Sequence, residues 1–385
     1  MATKTAETAI VCTTIFEPAW LAGYLENLRA HGRERDTAII IIIDRKTPPT
    51  VAAAAAQARA QGYDVRLPTL EEQVEYLAKL GAPADWVPWN TDNRRNIGFL
   101  MALESGASRL ISIDDDNYCL PGDDFVGSHA VVGQPAGAVP LAQGANWFNI
   151  CGMLGLDTKA TVHARGFPYA ARRGPHAKLA PASKVPAAAK KRRVAINAGL
   201  WLSDPDVDAA TRLTIRPDAQ KVTVPAVQLA PEVWTPINTQ NTGLIREAVF
   251  AYYYVRMGYP LQGLRIDRFG DILSGYFVQK VAKHLGDAVR LGAPVAEHRR
   301  TPHNLFKDLY FELAGMVIVE EMLPWLIELK LEGSDYASAY ASLADAIAAS
   351  APRYKGFIWD EGGREFLADT ARCMHTWLDV ARRFK

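Results

Sequence analysis

Two runs near the N-terminus, Thr8 to Thr14 and Thr37 to Ile43, are apolar and β-branched on consecutive positions. That is the pattern of strands buried on both faces of a parallel sheet. Each is followed by helical spacing, Pro18 to Ala30 and Pro49 to Gln61, with proline near the start, where its missing N–H costs nothing. A further helix is predicted from Asn93 to Gly106, leading into a strand from Arg109 to Ile113 that ends on a run of acids. This alternation predicts an α/β fold built on a right-handed βαβ series. Ligands of such sheets bind beyond the carboxyl ends of the strands, where Asp44 and Asp114 fall.

Periodicity weakens in the middle of the chain. The stretch from Gly174 to Arg193 is rich in Ala, Pro, Lys and Arg without an apolar repeat and reads as a mobile basic loop. Short strand-like pieces at Val222 to Val227 and around Trp234 lead to predicted helices from Leu244 to Met257 and from near Asp271 to Leu285. From Phe306 onward the pattern is helical in blocks, broken at Gly333, Pro352 and Gly362-Gly363. The predicted organisation is an α/β domain over residues 1–305 and a helical C-terminal region over 306–385.

With 385 residues, the chain can build one large core or two lobes. Its 43 basic and 42 acidic residues are spread along the sequence, giving a net charge of +1 and no broad field for nucleic acid or an anionic membrane. Specificity must then reside in a local site. Cys12, Cys119, Cys151 and Cys373 are scattered and form no CxxC pair, which argues against a disulfide framework and for a reducing, cytoplasmic setting. The apolar run at Ile10-Val11-Cys12 is far shorter than a membrane span of roughly 20 residues, so none is expected there. Alanine-rich helices such as Val51 to Ala58 suit a high-GC bacterial source.

The chemistry concentrates at Asp114-Asp115-Asp116, where the pleat is expected to aim Asp114 and Asp116 to one side. Two converging carboxylates repel unless a hard cation, Mn²⁺ or Mg²⁺, sits between them and bridges to phosphates; the alternative is an acidic surface turn. Arg94 and Arg95 open a helix against its macrodipole, which makes sense if a diphosphate docks nearby or if they form a solvated turn. His298 follows a predicted strand from Ala288 to Val295 and is either a third metal ligand or a surface or core residue. Arg299, Arg300, His303 and Lys307 behind it are suited to neutralising a leaving phosphate. Asp267 and Asp271 precede a helix and serve either as N-caps or as a general base. Thr13, Asp44 and Arg95 fall where a base would be read.

These residues resemble the reversibly glycosylated polypeptides, a family that includes the plant UDP-arabinopyranose mutases and has a GT-A-like nucleotide-sugar fold. The likeness runs in order through Asp114-Asp115-Asp116, Arg165-Gly166-Phe167-Pro168-Tyr169 with Arg172, Asn197 to Leu202, Pro205 to Ala209, Arg265-Ile266-Asp267, Gly275, and His298 to Lys307. The resemblance implies a metal and diphosphate anchor at Asp114, Asp115 and Asp116. It implies a reversibly glycosylated arginine at Arg165, a second arginine important to activity at Arg172, and a ligand at His298. It also points to Arg265, Asn304 and Lys307 as diphosphate contacts. The sequence departs from the family around Arg265 to Gly275 and carries the extra basic segment. The expected activity is metal-dependent transfer of a sugar from a nucleotide donor, UDP-linked, to an unidentified acceptor, with Asp267 or Asp271 as base. The alternatives are a pyranose–furanose mutase and a non-catalytic nucleotide-sugar-binding subunit, and assembly into a homo-oligomer is left open.

Overall fold

The structure, a computed structural model, describes residues 6–301 and 303–385. The first two apolar runs form β1 (Thr8–Thr14) and β2 (Thr37–Ile43), paired in parallel with Thr8 opposite Thr37. β3 (Asp64–Arg66) flanks β2, and β4 (Arg109–Asp114) flanks β1, both in parallel. The connections are α1 (Ala19–Ala30), α2 (Thr50–Ala60), α3 (Leu70–Lys79) and α4 (Arg95–Glu104). α4 lies tightly on the sheet because position 98 is glycine; a Cβ there would stand 2.4 Å from Val11 Cγ1.

Beyond β4 the sheet turns mixed. It continues through β5 (Asn117–Cys119), β6 (Leu141–Gln143), β7 (Lys178–Ala180), β8 (Val194–Ser203), β9 (Ala226–Leu229), β10 (Asn241–Ile245) and β11 (Ala288–His298). The spatial order is β3-β2-β1-β4-β10-β8-β11-β9-β6-β7, with β5 paired to β11. β10 is antiparallel to both β4 and β8, and β8 is parallel to β11. Strands β4, β8 and β11 therefore end on the same sheet edge, and β10 enters from it.

Three expectations from the sequence fail in this half. The helix expected from Leu244 to Met257 is a central strand to Ile245 and a single turn, Arg246–Val249. Phe250 to Val255 is then buried without being helical, since an apolar run packed on all sides gives no helical face to read. The strand expected over Val222 to Val227 is two strands, Ala219–Val222 and β9, parted around Pro225. The segment 174–193, read as structureless, holds β7 and a helical turn, Ala187–Lys191. Backbone pairing with β6 and a hydrogen bond from Gln228 Nε2 to the Ala189 carbonyl tie it to the sheet, and such bonds need no apolar periodicity.

The mixed α/β class and the helical C-terminus are as the sequence reading has them. α5 (Gly270–His284) backs the sheet, followed by α6 (Leu305–Glu328), α7 (Tyr336–Ser350) and α8 (Arg364–Ala381). These helices share one continuous hydrophobic core with the sheet. Trp377 of α8 lies 6.4 Å from the Trp86 ring and donates from Nε1 to the Phe250 carbonyl at 3.0 Å. Among the described residues no helix is long and apolar enough to cross a membrane.

Candidate functional site

The shared strand edge encloses a cavity of about 270 Å³. Thr13, Asp44, Arg94, Arg95, Asp114, Asp115, Asp116, Arg165, Asp271 and His298, all singled out from sequence, line it together. Strand pairing stops at Asp114 and the chain turns, so the pleat does not carry through to Asp116. Each acid of the run instead has its own partner.

Asp114 Oδ1 accepts from Arg95 at 2.6 Å, and the same guanidinium donates to Thr13 Oγ1, Ser112 Oγ and the Thr239 carbonyl. Arg95 is thus buried and neutralised from beneath, which resolves its placement against the helix dipole. Thr14 Oγ1 donates to Asp115 Oδ2 at 2.6 Å. Asp116 Oδ2 lies 3.2 Å from His298 Nε2, and His298 Nδ1 lies 2.6 Å from the Asp204 carbonyl. With Nδ1 donating to that carbonyl, Nε2 is the nitrogen turned toward the acids.

Burial raises the Asp114 carboxyl, against the pull of Arg95, and pushes Asp115 up to about 6. At Asp116 burial is outweighed by the hydrogen bond and charge of His298, which hold it below the usual range. The same pairing lifts His298 above its ordinary value although burial opposes it. Among the described residues, no three His, Cys, Asp or Glu side chains gather closely enough to enclose a metal ion alone.

One end of the cavity lies beyond β2. Asp44 accepts there from the backbone N–H groups of Arg45 and Asn90, each at 2.6 Å. Asn90 takes a left-handed φ of 58°, which asparagine tolerates and which turns its N–H inward. Arg94 is buried beneath, stacked 3.6 Å over the Trp89 ring and hydrogen-bonded to Gln73, so it supports Asp44 from the protein side.

At the opposite end Arg165 is clamped between two carboxylates. Its Nε and Nη2 donate to Asp206 at 3.0 and 3.1 Å, and Nη1 and Nη2 donate to Asp271 at 3.1 and 2.6 Å. The remaining N–H meets the Arg268 carbonyl, presented by a residue with φ of 57°. All five donors of the guanidinium are committed. Burial at Asp206 is outweighed by the Arg165 charge and by hydrogen bonds from Arg165 and Asn238, which bring its pKa down to about 2. Asp271, expected as an N-cap or as a general base, is held by Arg165.

Six residues expected in the site lie outside the cavity, the first of them Arg299, which pairs with Glu297 at 2.7 Å. Arg172 pairs with Asp208, the N-cap of the short helix Ala209–Arg212, and stacks on Tyr169. Arg265 and Asp267 pair with each other at 3.1 Å, and Asp267 also accepts from the Arg268 N–H. Asn304 caps α6 by accepting from the Lys307 N–H, and the Lys307 ammonium lies over Phe311. Nor does any residue of 174–193 line the cavity. Sequence reasoning assigned no role to Asp92, Asp206, Gln240, Tyr254 or Arg268, all of which line it. Only Asp206 carried a signal, as part of the family-like Pro205 to Ala209 stretch.

Residues 4–381 match the family described as "Reversibly glycosylated polypeptide". The chain is 28% identical over 290 residues to probable UDP-arabinopyranose mutase 4 of Arabidopsis thaliana, covering 74% of this chain and 71% of that protein. It is 27% identical over 248 residues to probable UDP-arabinopyranose mutase 1 of Pisum sativum, covering 64% and 61%. Among solved structures, it is similar to glucosyl-3-phosphoglycerate synthase from Mycobacterium tuberculosis in complex with Mn²⁺, UDP-glucose and phosphoglyceric acid. That likeness has a TM-score of 0.39 and 12% identity, over 82% of this chain and 79% of the other. S. aureus TarS in complex with UDP-GlcNAc matches with a TM-score of 0.40 and 10% identity, over 92% and 74%. Likenesses of that size are of outline only.

Proposed function

This chain belongs to the reversibly glycosylated polypeptide family, and on that premise we propose that it binds a UDP-linked sugar and interconverts the pyranose and furanose forms of that sugar. The observation that carries this reading is the closed polar end of the cavity. Arg165, Asp206 and Asp271 come from three separate parts of the chain, are buried, and bind one another. A wall so held keeps its geometry without reorganising, which suits enclosure of one sugar that rearranges in place. The Asp44 end would take the nucleoside, the acid run the diphosphate, and the clamped end the sugar.

A divalent cation fits the acid run. Asp116 Oδ2 and His298 Nε2 stand 3.2 Å apart in the cavity, an oxygen and a nitrogen donor of the kind Mn²⁺ accepts. Burial holds Asp114 and Asp115 above the usual carboxylate range, a cost that positive charge would remove. Asp116 and His298 would hold Mn²⁺ or Mg²⁺, and the ion would offset the charge of the departing diphosphate. Arg300 and Arg268, which also line the cavity, add positive charge to it.

Transfer to a separate acceptor is the second reading, favoured by the rim, where Ile15 and Phe16 are exposed and line the opening. The deciding experiment incubates the protein with UDP-arabinopyranose and Mn²⁺ and separates the products by anion-exchange chromatography. UDP-arabinofuranose without net UDP release supports the mutase. UDP release that depends on an added acceptor, with no furanose formed, overturns it in favour of transfer.

A further inference from the structure

Seven carboxylates line the cavity, and six are spoken for. Asp44 accepts from two backbone N–H groups, Asp114 from Arg95, and Asp115 from Thr14. Asp116 faces His298, while Asp206 and Asp271 hold Arg165. Of these seven, all among the described residues, Asp92 alone has a carboxylate with no hydrogen bond and no ion pair, and it is exposed where it lines the cavity.

Its position is set by backbone rather than by side-chain bonds. Asp92 opens the single 3-10 turn Asp92–Arg94 ahead of α4, anchored by the Arg94 N–H to the Thr91 carbonyl, and its side chain caps nothing. Its neighbours Asn93, Arg94, Arg95 and Asn96 are all buried and bonded inward, Asn93 to the Tyr254 carbonyl and Tyr253 hydroxyl. A rigid base thus presents one free carboxylate. It lines the same cavity as Arg95 of the acid run and as Asp271 and Arg268 of the clamped end, and their charges act on it.

Resting on the mutase reading above, we propose that Asp92 is a catalytic residue that touches the sugar and carries the proton exchanged between its hydroxyl and ring oxygens. When the anomeric carbon parts from the diphosphate, the electron pair leaves with the diphosphate. The hydroxyl oxygen that joins the new ring bonds to the anomeric carbon and gives its proton to Asp92. The former ring oxygen leaves that carbon with its electron pair and takes the proton back from Asp92, and the diphosphate re-attacks. No proton or electron is gained or lost over the cycle. The other cavity carboxylates are poorly suited, because accepting a proton would forfeit an existing charge-assisted bond. Although Asp92 is open to the cavity, its enclosure by protein raises its pKa, with Arg95 and Arg268 pulling it back and Asp271 and Asp267 adding to the rise. A base moved toward the working pH is a better proton carrier.

The test is Asp92→Asn, which keeps shape and removes basicity, with Asp92→Glu as a second variant. Calorimetry with UDP and with UDP-arabinopyranose, in Mn²⁺, reads binding, and product and UDP analysis reads turnover of any kind. The expected result is UDP affinity within about twofold of wild type, a loss of roughly tenfold in the extra affinity the sugar confers, and turnover down by ~10²–10⁴. Asp92→Glu should recover part of that turnover. Turnover within threefold of wild type, or a sugar increment equal in both proteins, overturns the proposal, as does an equal loss of affinity for UDP alone. If the wild type hydrolyses or transfers the sugar without forming the furanose, the mutase reading fails by itself. The sugar increment still decides whether Asp92 touches the sugar.

Discussion

Replacing Arg165 with methionine removes the one cation between Asp206 and Asp271, whose side chains are 6% and 7% exposed. Taking one partner from a buried ion pair typically costs ~3–5 kcal/mol, because the remaining charge has no compensation. At ~2.1 cal/mol/K of unfolding entropy per residue, the 385 residues make this a fall in Tm of roughly 4–6 °C. Arg165→Lys keeps the charge but offers three donors in a point geometry where five are used, and should lose about half as much. The pH dependence separates this cause from simple loss of packing. In the wild type, Asp206 has its folded pKa down at about 2, below its unfolded value of ~3.9. It therefore contributes ~2 kcal/mol of stability that is present above pH ~4 and lost as pH falls toward 2. In Arg165→Met, burial remains against the Asn238 bond and the charge of His298; burial, the largest of these, dominates, and the folded pKa rises above the unfolded one. The sign inverts, and the mutant's deficit shrinks as pH falls from 7 toward 4. Scanning calorimetry of both proteins at pH 7, 5.5 and 4.5 reads this directly. A Tm difference under about 1 °C, or one constant across that range, would refute the clamp. The same clamp predicts that intact-mass analysis after incubation with UDP-sugar and Mn²⁺ finds no adduct on Arg165 in the folded protein.

Asp116→Asn should weaken Mn²⁺-supported UDP binding by at least ~10–100-fold, checked by calorimetry with and without EDTA. His129 is buried, with Nε2 against Asn241 Oδ1 at 2.9 Å and Nδ1 against Asn197 Nδ2 at 3.1 Å, and burial pushes its pKa down to about 3. Below its unfolded pKa of ~6.5 the unfolded chain takes the proton first, so stability should fall by up to ~1.4 kcal/mol per pH unit on acidification. His129→Gln should flatten that slope in urea titrations from pH 6.5 to 4.5. Gly275→Ala would put a Cβ 2.0 Å from the Ile237 carbonyl oxygen, backbone that cannot step aside. A loss of ~1–3 kcal/mol is expected, and an unchanged urea midpoint would contradict it.

The parallel half of the fold was legible because its strands are buried on both faces. β1 and β2 begin and end where the apolar runs do, Asp44 falls just where the β2 run stops, and Asp114 ends β4. β10 was not legible: flanked by β4 and β8, it is strand by virtue of pairing on both sides, while its own residues, Asn241 to Ile245, lead into an aromatic run with no period. The candidate site divides in the same way. The acid run, His298 and Arg165 were found by residue type or by family likeness. Arg172, Arg265, Asn304 and Lys307 came with the same family likeness, but a likeness of sequence does not say which way a side chain points. Each turned out to hold a local pair or a cap.

Asp92 was overlooked because an acid at the opening of a helix has an ordinary explanation, the favourable interaction with the macrodipole. Beside it, Arg94 and Arg95 drew notice for running against that dipole, yet they are the structural members of the turn, buried and bonded to Gln73, Asp114 and Thr13. Topology explains the inversion. β4, β8 and β11 deliver their carboxyl ends to one edge, and with them Asp114, Asp206 and His298. The start of α4 must pass under that edge, so its long cations reach down to neutralise the strand-end acids. The short side chain ahead of them is left facing the open space. The group most free to react is thus the one with the most conventional local sequence, and the anomalous pair beside it holds the strand-end acids in place.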